Sequence, residues 1–270
     1  MNYNEIKDTL QKLGRSANKN LGQNFLANQI YADIIVGYLD AKKEDNILEI
    51  GAGLGGLSAI LTQTEATITL NECDREFLGF LKEEYKDTSC EFLEGDILMQ
   101  NLSNYNKIVG NLPYYITTPI IKKVLLDTNN LDRFVFMVQK EVGQKLLAKE
   151  NSKEYGPLHI LMNLLGNLSY CKEIKPHNFY PVPHVDSVVM VLDAPQTVDS
   201  AFKRFLFKNL IPLFAYNRKT LRNNLKGHVF DKELERIFQQ KDISLDKRPQ
   251  QIEAGIYISV FETLFEVVKK

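Results

Sequence analysis

Three observations predict an α/β chain, with a mostly parallel sheet followed by a small all-helical domain. Apolar strand-like runs alternate with helical periodicity through about residue 192, a glycine cluster follows the first of those strands, and only helical periodicity remains beyond Ser200. Strands that alternate with helices imply parallel pairing, with the sheet covered on both faces.

The elements follow in order. Residues 28 to 39 space their apolar side chains for an amphipathic helix with Asn28 as its cap, and residues 46 to 50 form a strand. Residues 57 to 61 start a helix directly after the glycine cluster, which is the Rossmann-like order of strand, tight turn and helix. A second strand (66 to 71), a helix (75 to 85), a third strand (90 to 93), a fourth strand (107 to 110) and a helix (117 to 127) continue the alternation. Residues 134 to 139 read as a fifth strand and 140 to 148 as a helix, and residues 160 to 168 and 185 to 192 complete the α/β region. The pattern breaks around Asp193-Ala194-Pro195-Gln196, so domains of 1 to 197 and 198 to 270 are expected. The second holds helices over 201 to 215, 218 to 226, 231 to 239 and 250 to 268.

The chain has 270 residues, 44% hydrophobic and 25% charged, as expected of a globular protein with one large and one small domain. No apolar run approaches the roughly 18 residues of a spanning helix, and the polar start lacks a signal-peptide core. A cytoplasmic protein without membrane contact is expected. Cys73, Cys90 and Cys171 are too far apart for a zinc knuckle or a disulfide framework, and no metal is expected.

Charge is unevenly divided. Residues 1 to 199 hold 19 Lys/Arg against 26 Asp/Glu, net −7, and residues 200 to 270 hold 14 against 8, net +6. Lys203, Arg204, Lys208, Arg218, Lys219, Arg222 and Lys226 occur with no acidic residue between Ser200 and Phe230, which points to a polyanion partner. Arg218, Lys219 and Arg222 recur at i, i+1, i+4 spacing, which a helix would turn into a phosphate-binding face.

Gly51-Ala52-Gly53-Leu54-Gly55-Gly56 satisfies G-x-G-x-x-G, and Glu72, next to Cys73, follows where an acid can take a ribose diol. Spacing alone allows a nicotinamide cofactor. The same run reads as Glu49-x-Gly51-x-Gly53-x-Gly55, the usual opening of adenosylmethionine-dependent methyltransferases. Gly95-Asp96-Ile97 puts a carboxylate and an apolar side chain where an adenine can be held, although Asp96 also reads as a helix cap. His159, His177, His184 and His228 show no pairing with a carboxylate that hydride transfer would use. S-Adenosyl-L-methionine is therefore the expected cofactor.

Asn111-Leu112-Pro113-Tyr114 follows the fourth strand. The Asn111 amide oxygen and the Leu112 carbonyl can each accept a hydrogen from an exocyclic amino group, Pro113 brings no competing N–H, and Tyr114 offers a plane for a flat base. An ordinary strand-end turn is the competing reading.

The tetrapeptide resembles the (Asp/Asn/Ser)-Pro-Pro-Tyr box of amino-group methyltransferases. Further strings resemble the ribosomal-RNA adenine dimethyltransferase family: Lys19 to Leu26, Thr117-Thr118-Pro119, Gln139-Lys140-Glu141-Val142, Asn151-Ser152-Lys153-x-Tyr155-Gly156, Phe179-x-Pro181-x-Pro183-x-Val185-Asp186-Ser187, and Arg218-Lys219-Thr220-Leu221-Arg222-Asn223. The likeness runs from about residue 15 onward and favours the small-subunit branch over the large-subunit enzymes of macrolide resistance. It implies dimethylation at N6 of two adjacent adenines near the 3′ end of small-subunit rRNA, within an assembling particle, by a monomer. It further implies cofactor contacts from Asn24, Leu26, Gly51, Gly53, Glu72, Cys73, Asp96, Ile97 and Asn111, and a flipped adenine sandwiched between Tyr114 and Phe179. Met190 and Asn217 stand where the family commonly has Arg.

Overall fold

The computed structural model describes residues 1–17 and 23–269, so Lys19, Asn20, Leu21 and Gly22 of the N-terminal motif lie outside the described residues. Two compact units emerge: Met1–Gly143 with Leu168–Pro195, and Gln144–Asn167 with Gln196–Lys270.

The first unit opens with α1 (Tyr3–Lys12), β1 (Phe25–Leu26) and α2 (Gln29–Gly37), whose cap Asn28 accepts from the Ile30 N–H as its sequence position predicts. Then come β2 (Asn46–Ile50), α3 (Ser58–Leu61), β3 (Thr67–Glu72), α4 (Arg75–Glu84), β4 (Glu91–Glu94), β5 (Lys107–Asn111), α5 (Thr117–Asp127), β6 (Arg133–Gln139) and α6 (Lys140–Leu146), within which the first unit gives way to the second after Gly143. After α7 (Pro157–Leu165), which belongs to the second unit, follow β7 (Asn167–Ile174), β8 (Phe179–Tyr180) and β9 (Ser187–Asp193).

Seven strands form one sheet in the order β4-β3-β2-β5-β6-β9-β7. The pairs from β4 through β6 are parallel and β6 to β9 is antiparallel. Because β3 and β5 flank β2 on opposite sides, the strand order reverses there, and a crevice opens beyond the carboxyl ends of β2 and β5. Ile47, Leu70, Val109 and Val135 are fully buried in the core. Three elements escape the sequence pattern: α1, the edge strand β7, and the two-stranded antiparallel sheet in which β1 pairs with β8. Among the described residues no helix is long and apolar enough to cross a membrane.

The second unit packs α7 against α8 (Ser200–Leu213) and α11 (Ala254–Val268), with α9 (Leu221–Leu225) and α10 (Asp231–Gln240) completing it. Alternation alone put residues 160 to 168 with the α/β region. Ile160 instead sits in the apolar cluster of Leu206, Leu210, Tyr257 and Phe261.

Candidate active site

The sheet order sets two chain exits side by side. Ile50 pairs with Gly110, so the glycine loop and Asn111-Leu112-Pro113-Tyr114 leave the sheet at adjacent points. The approach is close: a Cβ on Gly110 would lie 2.8 Å from the Ile50 carbonyl oxygen. Gly53 has φ of +58°, and a Cβ there would stand 3.1 Å from the Phe25 ring, so backbone and space both select glycine.

Glu72, buried at the end of β3, is held by main-chain donors. The Gly53 N–H donates to Oε2 at 2.8 Å, and the Cys73 and Asp74 N–H groups donate to Oε1 at 2.8 and 2.9 Å. Oε2 keeps acceptor capacity. Glu49, also buried, accepts from Ser58 Oγ at 2.6 Å. Burial pushes its carboxyl up to about 8, and the nearby Glu72 charge pushes the same way against the Ser58 hydrogen bond.

These groups face a cleft of about 880 Å³, solvent at its mouth included. Its walls comprise Gln23 to Leu26, the glycine loop, Glu49, Glu72, Cys73, Asn111, Pro113 and Tyr115, with Met1 and Ile6 from the N-terminal segment and Phe77 of α4. The cleft thus brings together Asn24, Leu26, Gly51, Gly53, Glu72, Cys73 and Asn111. Asp96 and Ile97 are not among its lining residues: Asp96 is exposed and caps the short 3-10 turn Ile97–Met99 by accepting from the Leu98 N–H at 2.9 Å, while Ile97 is buried.

The Asn111 amide has a fixed orientation. Its Nδ2 donates to the main-chain carbonyl of Asn24 at 2.7 Å. Only the NH2 side can face a carbonyl, so Oδ1 is left as the acceptor. Leu112 is buried, and its N–H donates to the Met137 carbonyl at 3.1 Å. Pro113 opens a 3-10 turn over Tyr114–Ile116, closed by Thr117 Oγ1 donating to the Pro113 carbonyl at 3.0 Å. Tyr114 is half-buried, with its hydroxyl 3.1 Å from Ser187 Oγ. Tyr115 is the tyrosine that lines the cleft, and it is 58% exposed.

Phe179 departs from the expected sandwich. Its ring is 0% exposed because β8 pairs antiparallel with β1, Leu26 opposite Phe179, and this turns the side chain into the core. A fully enclosed ring presents no face to a base.

The tail cations also need correction. Lys203 is 1% exposed, three and seven residues from the core positions Leu206 and Leu210 of α8, so it adds nothing to a basic surface. Arg204, Lys208, Arg218, Lys219, Arg222 and Lys226 are exposed. Arg218 and Lys219 do not share a helix with Arg222: they sit in the turn before α9, whose cap Thr220 accepts from the Asn223 N–H. Buried Asn224 holds that turn, accepting from the Tyr216 N–H at 3.1 Å and donating to the Tyr216 and Thr220 carbonyls at 3.2 and 3.1 Å. Arg222 reaches Asp246 at 3.3 Å, an exposed pair worth little.

His159 and His228 are structural. Each accepts a main-chain N–H at Nδ1, which leaves Nε2–H to donate to the carbonyls of Lys145 and Asn209 respectively.

Sequence reading gave no role to Ser58, Tyr115, Ser187 or the α1 residues Ile6 and Leu10, and quoted Glu49 only as the acid of a motif. The Asn2-x-x-Glu5 capping box with apolar residues at Ile6, Leu10 and Leu13 was the available signal for α1. Ser187 closes one of the family strings, but nothing local marks its contact with Tyr114, 73 residues away.

Comparison with known proteins points to one family. The family described as "Ribosomal RNA adenine dimethylase" matches residues 14–266. The chain is 32% identical over 247 residues to "Ribosomal RNA small subunit methyltransferase A" of Malacoplasma penetrans, covering 90% of each. It is 35% identical over 272 residues to the protein of the same name from Lactobacillus johnsonii, covering 92% of this chain and 90% of the relative. In fold it is similar to a dimethyladenosine transferase from Plasmodium falciparum, with a TM-score of 0.76 at 22% identity, covering 90% of this chain and 98% of that one. The 23S rRNA methyltransferase ErmE gives a TM-score of 0.65 at 20% identity, covering 89% and 99%. With a match that spans nearly its whole length, the chain belongs to the ribosomal RNA adenine dimethylase family.

Proposed function

We propose that this protein transfers methyl groups from S-adenosyl-L-methionine to N6 of two adjacent adenines in the 3′-terminal hairpin of small-subunit rRNA, giving dimethyladenosine at both. The observation that carries this reading is the Asn111 amide, pinned by Asn24 so that its oxygen is the free acceptor, beside the cofactor-type cleft.

The cleft fits that cofactor. Glu72, fixed by three main-chain N–H groups, has acceptor capacity for a ribose hydroxyl, and Gly51 and Gly53 let the backbone come close. Asn24, Leu26 and Cys73 supply further wall, and Asp96 and Ile97 are assigned to the adenine end. The bound cofactor supplies a sulfonium methyl, which is a strong electrophile. The weak partner is the adenine amino group, whose lone pair is delocalised into the ring. Hydrogen bonds from N6–H to Asn111 Oδ1 and to the Leu112 carbonyl localise that lone pair and stabilise the positive charge that develops on nitrogen. Each transfer forms an N–C bond, breaks an S–C bond, and releases one proton from nitrogen to solvent. Tyr114 gives the base a stacking face, and such stacking, worth about 1–3 kcal/mol, offsets much of the cost of extruding it.

We assign phosphate contacts to Arg218, Lys219 and Arg222 in a C-terminal RNA-binding domain over 198 to 270, and the transferase role to residues 1 to 197. A cytoplasmic monomer acting on an assembling small-subunit particle completes the reading. Incubation with labelled S-adenosyl-L-methionine and unmethylated small or large subunits, followed by mapping of dimethyladenosine, tests it. Label in the small-subunit hairpin is expected; label only in the large subunit overturns it.

A further inference from the structure

Tyr114 is held at both ends. At its backbone, the 3-10 turn Tyr114–Ile116 is closed by Thr117. At its tip, Oη lies 3.1 Å from Oγ of Ser187, a fully buried residue that starts β9 opposite Gln139 of β6. The Ser187 hydroxyl has no other side-chain partner among the described residues. Burial raises the Tyr114 phenol above its ordinary range, so the pair stays neutral. Oη lies on the axis of the ring, so turning the ring about that axis leaves the bond intact, whereas swinging the side chain to another χ1 rotamer breaks it and strands a buried hydroxyl.

We propose that Ser187 is a positioning residue, fixing the tip of Tyr114, and so the direction of the ring's long axis, through this hydrogen bond and thereby setting how completely the second methyl is added. The inference rests on the reading of Tyr114 as the stacking face for the target base. Before the first transfer two N–H groups locate the amino nitrogen against Asn111 and Leu112. Afterwards only one remains, so the nitrogen's position depends more heavily on where the stacking ring holds the base.

Ser187→Ala, Tyr114→Phe and the double variant test this on unmethylated small subunits. Mono- and dimethyladenosine are quantified by mass spectrometry, and affinity for S-adenosylhomocysteine by calorimetry. Each single variant is expected to lower kcat by about tenfold, to raise the monomethyl share, and to leave cofactor affinity unchanged. The double variant falls no further than the singles, because one interaction is removed in all three. Ser187→Thr, which keeps the hydroxyl, restores the product ratio. A wild-type ratio and kcat in Ser187→Ala, additive losses in the double variant, or an equal loss of cofactor affinity overturns the proposal. A wild-type protein that makes no dimethyladenosine on any particle instead defeats the functional reading, and the proposal with it.

Discussion

The surroundings of Phe179 decide between two roles that its motif leaves open. A ring that stacks a base must show a face, whereas this ring is enclosed beside Leu26, Val189 and Val191. Phe179→Ala is therefore expected to cost about 3–5 kcal/mol of stability, read by urea denaturation. Phe179→Leu, which keeps most of the volume, is expected to cost about 1 kcal/mol and to retain turnover. A stable Phe179→Leu protein without turnover would return the ring to the base site. Glu49 gives a second test at this scale. Its ordinary value is 4.5, and in the fold it holds its proton to about 8. Between those values the folded state binds more protons than the unfolded one. Stability from this group is thus fully present below the lower value and is lost as pH rises through the upper one, on the order of a few kcal/mol. Glu49→Gln should remove that fall. Parallel stability curves for the two proteins from pH 5 to 8 would show that Glu49 does not titrate there.

At the scale of elements, α1 matters beyond its own length. Ile6 and Leu10 pack with Leu54 of the glycine loop and Phe77 of α4, and Arg15 just beyond α1 pairs with Asp74 at 2.6 Å. Leu10→Ala is expected to destabilise the helix by about 2–5 kcal/mol, to raise amide exchange over Tyr3–Lys12, and to weaken S-adenosylhomocysteine binding. Unchanged affinity with raised exchange would mean that the helix is only appended to the cleft. Legibility varied among the elements for physical reasons. β2, β5 and β6 were plain in the sequence, because strands buried on both faces read as short, mainly apolar runs between polar or glycine-rich stretches. β7 was not, since its residues are mostly half-buried and mix Ser, Lys and Glu with apolar side chains. The turn carrying Arg218 and Lys219 looked helical because periodicity cannot register that Asn224 bonds back to Tyr216. The same limit held at the site. Glu72 and Asn111 stood out as strand-end residues of unusual chemistry, but the tethers Asn24 to Asn111 and Ser187 to Tyr114 span 87 and 73 residues, and no local pattern encodes them.

At the scale of the whole molecule, a net charge of −1 conceals a division between −7 over residues 1 to 199 and +6 over residues 200 to 270. Long-range attraction to RNA follows the local field within about a Debye length, roughly 8 Å at physiological salt, so an average over the chain says little about binding. The helical unit carries the excess, and Arg218, Lys219 and Arg222 concentrate three exposed cations within five positions on a turn braced by Asn224. If each neutralises one phosphate, replacing all three with Gln removes the release of about three counterions. The slope of log K against log salt should then flatten by roughly 2 to 3. Affinity for small-subunit rRNA should drop most at low salt, with S-adenosylhomocysteine binding unaltered because the cleft belongs to the other unit. Filter binding across a salt series reads both quantities. An unaltered slope would move the phosphate contacts to Arg204, Lys208 and Lys226, the other exposed cations of the same stretch.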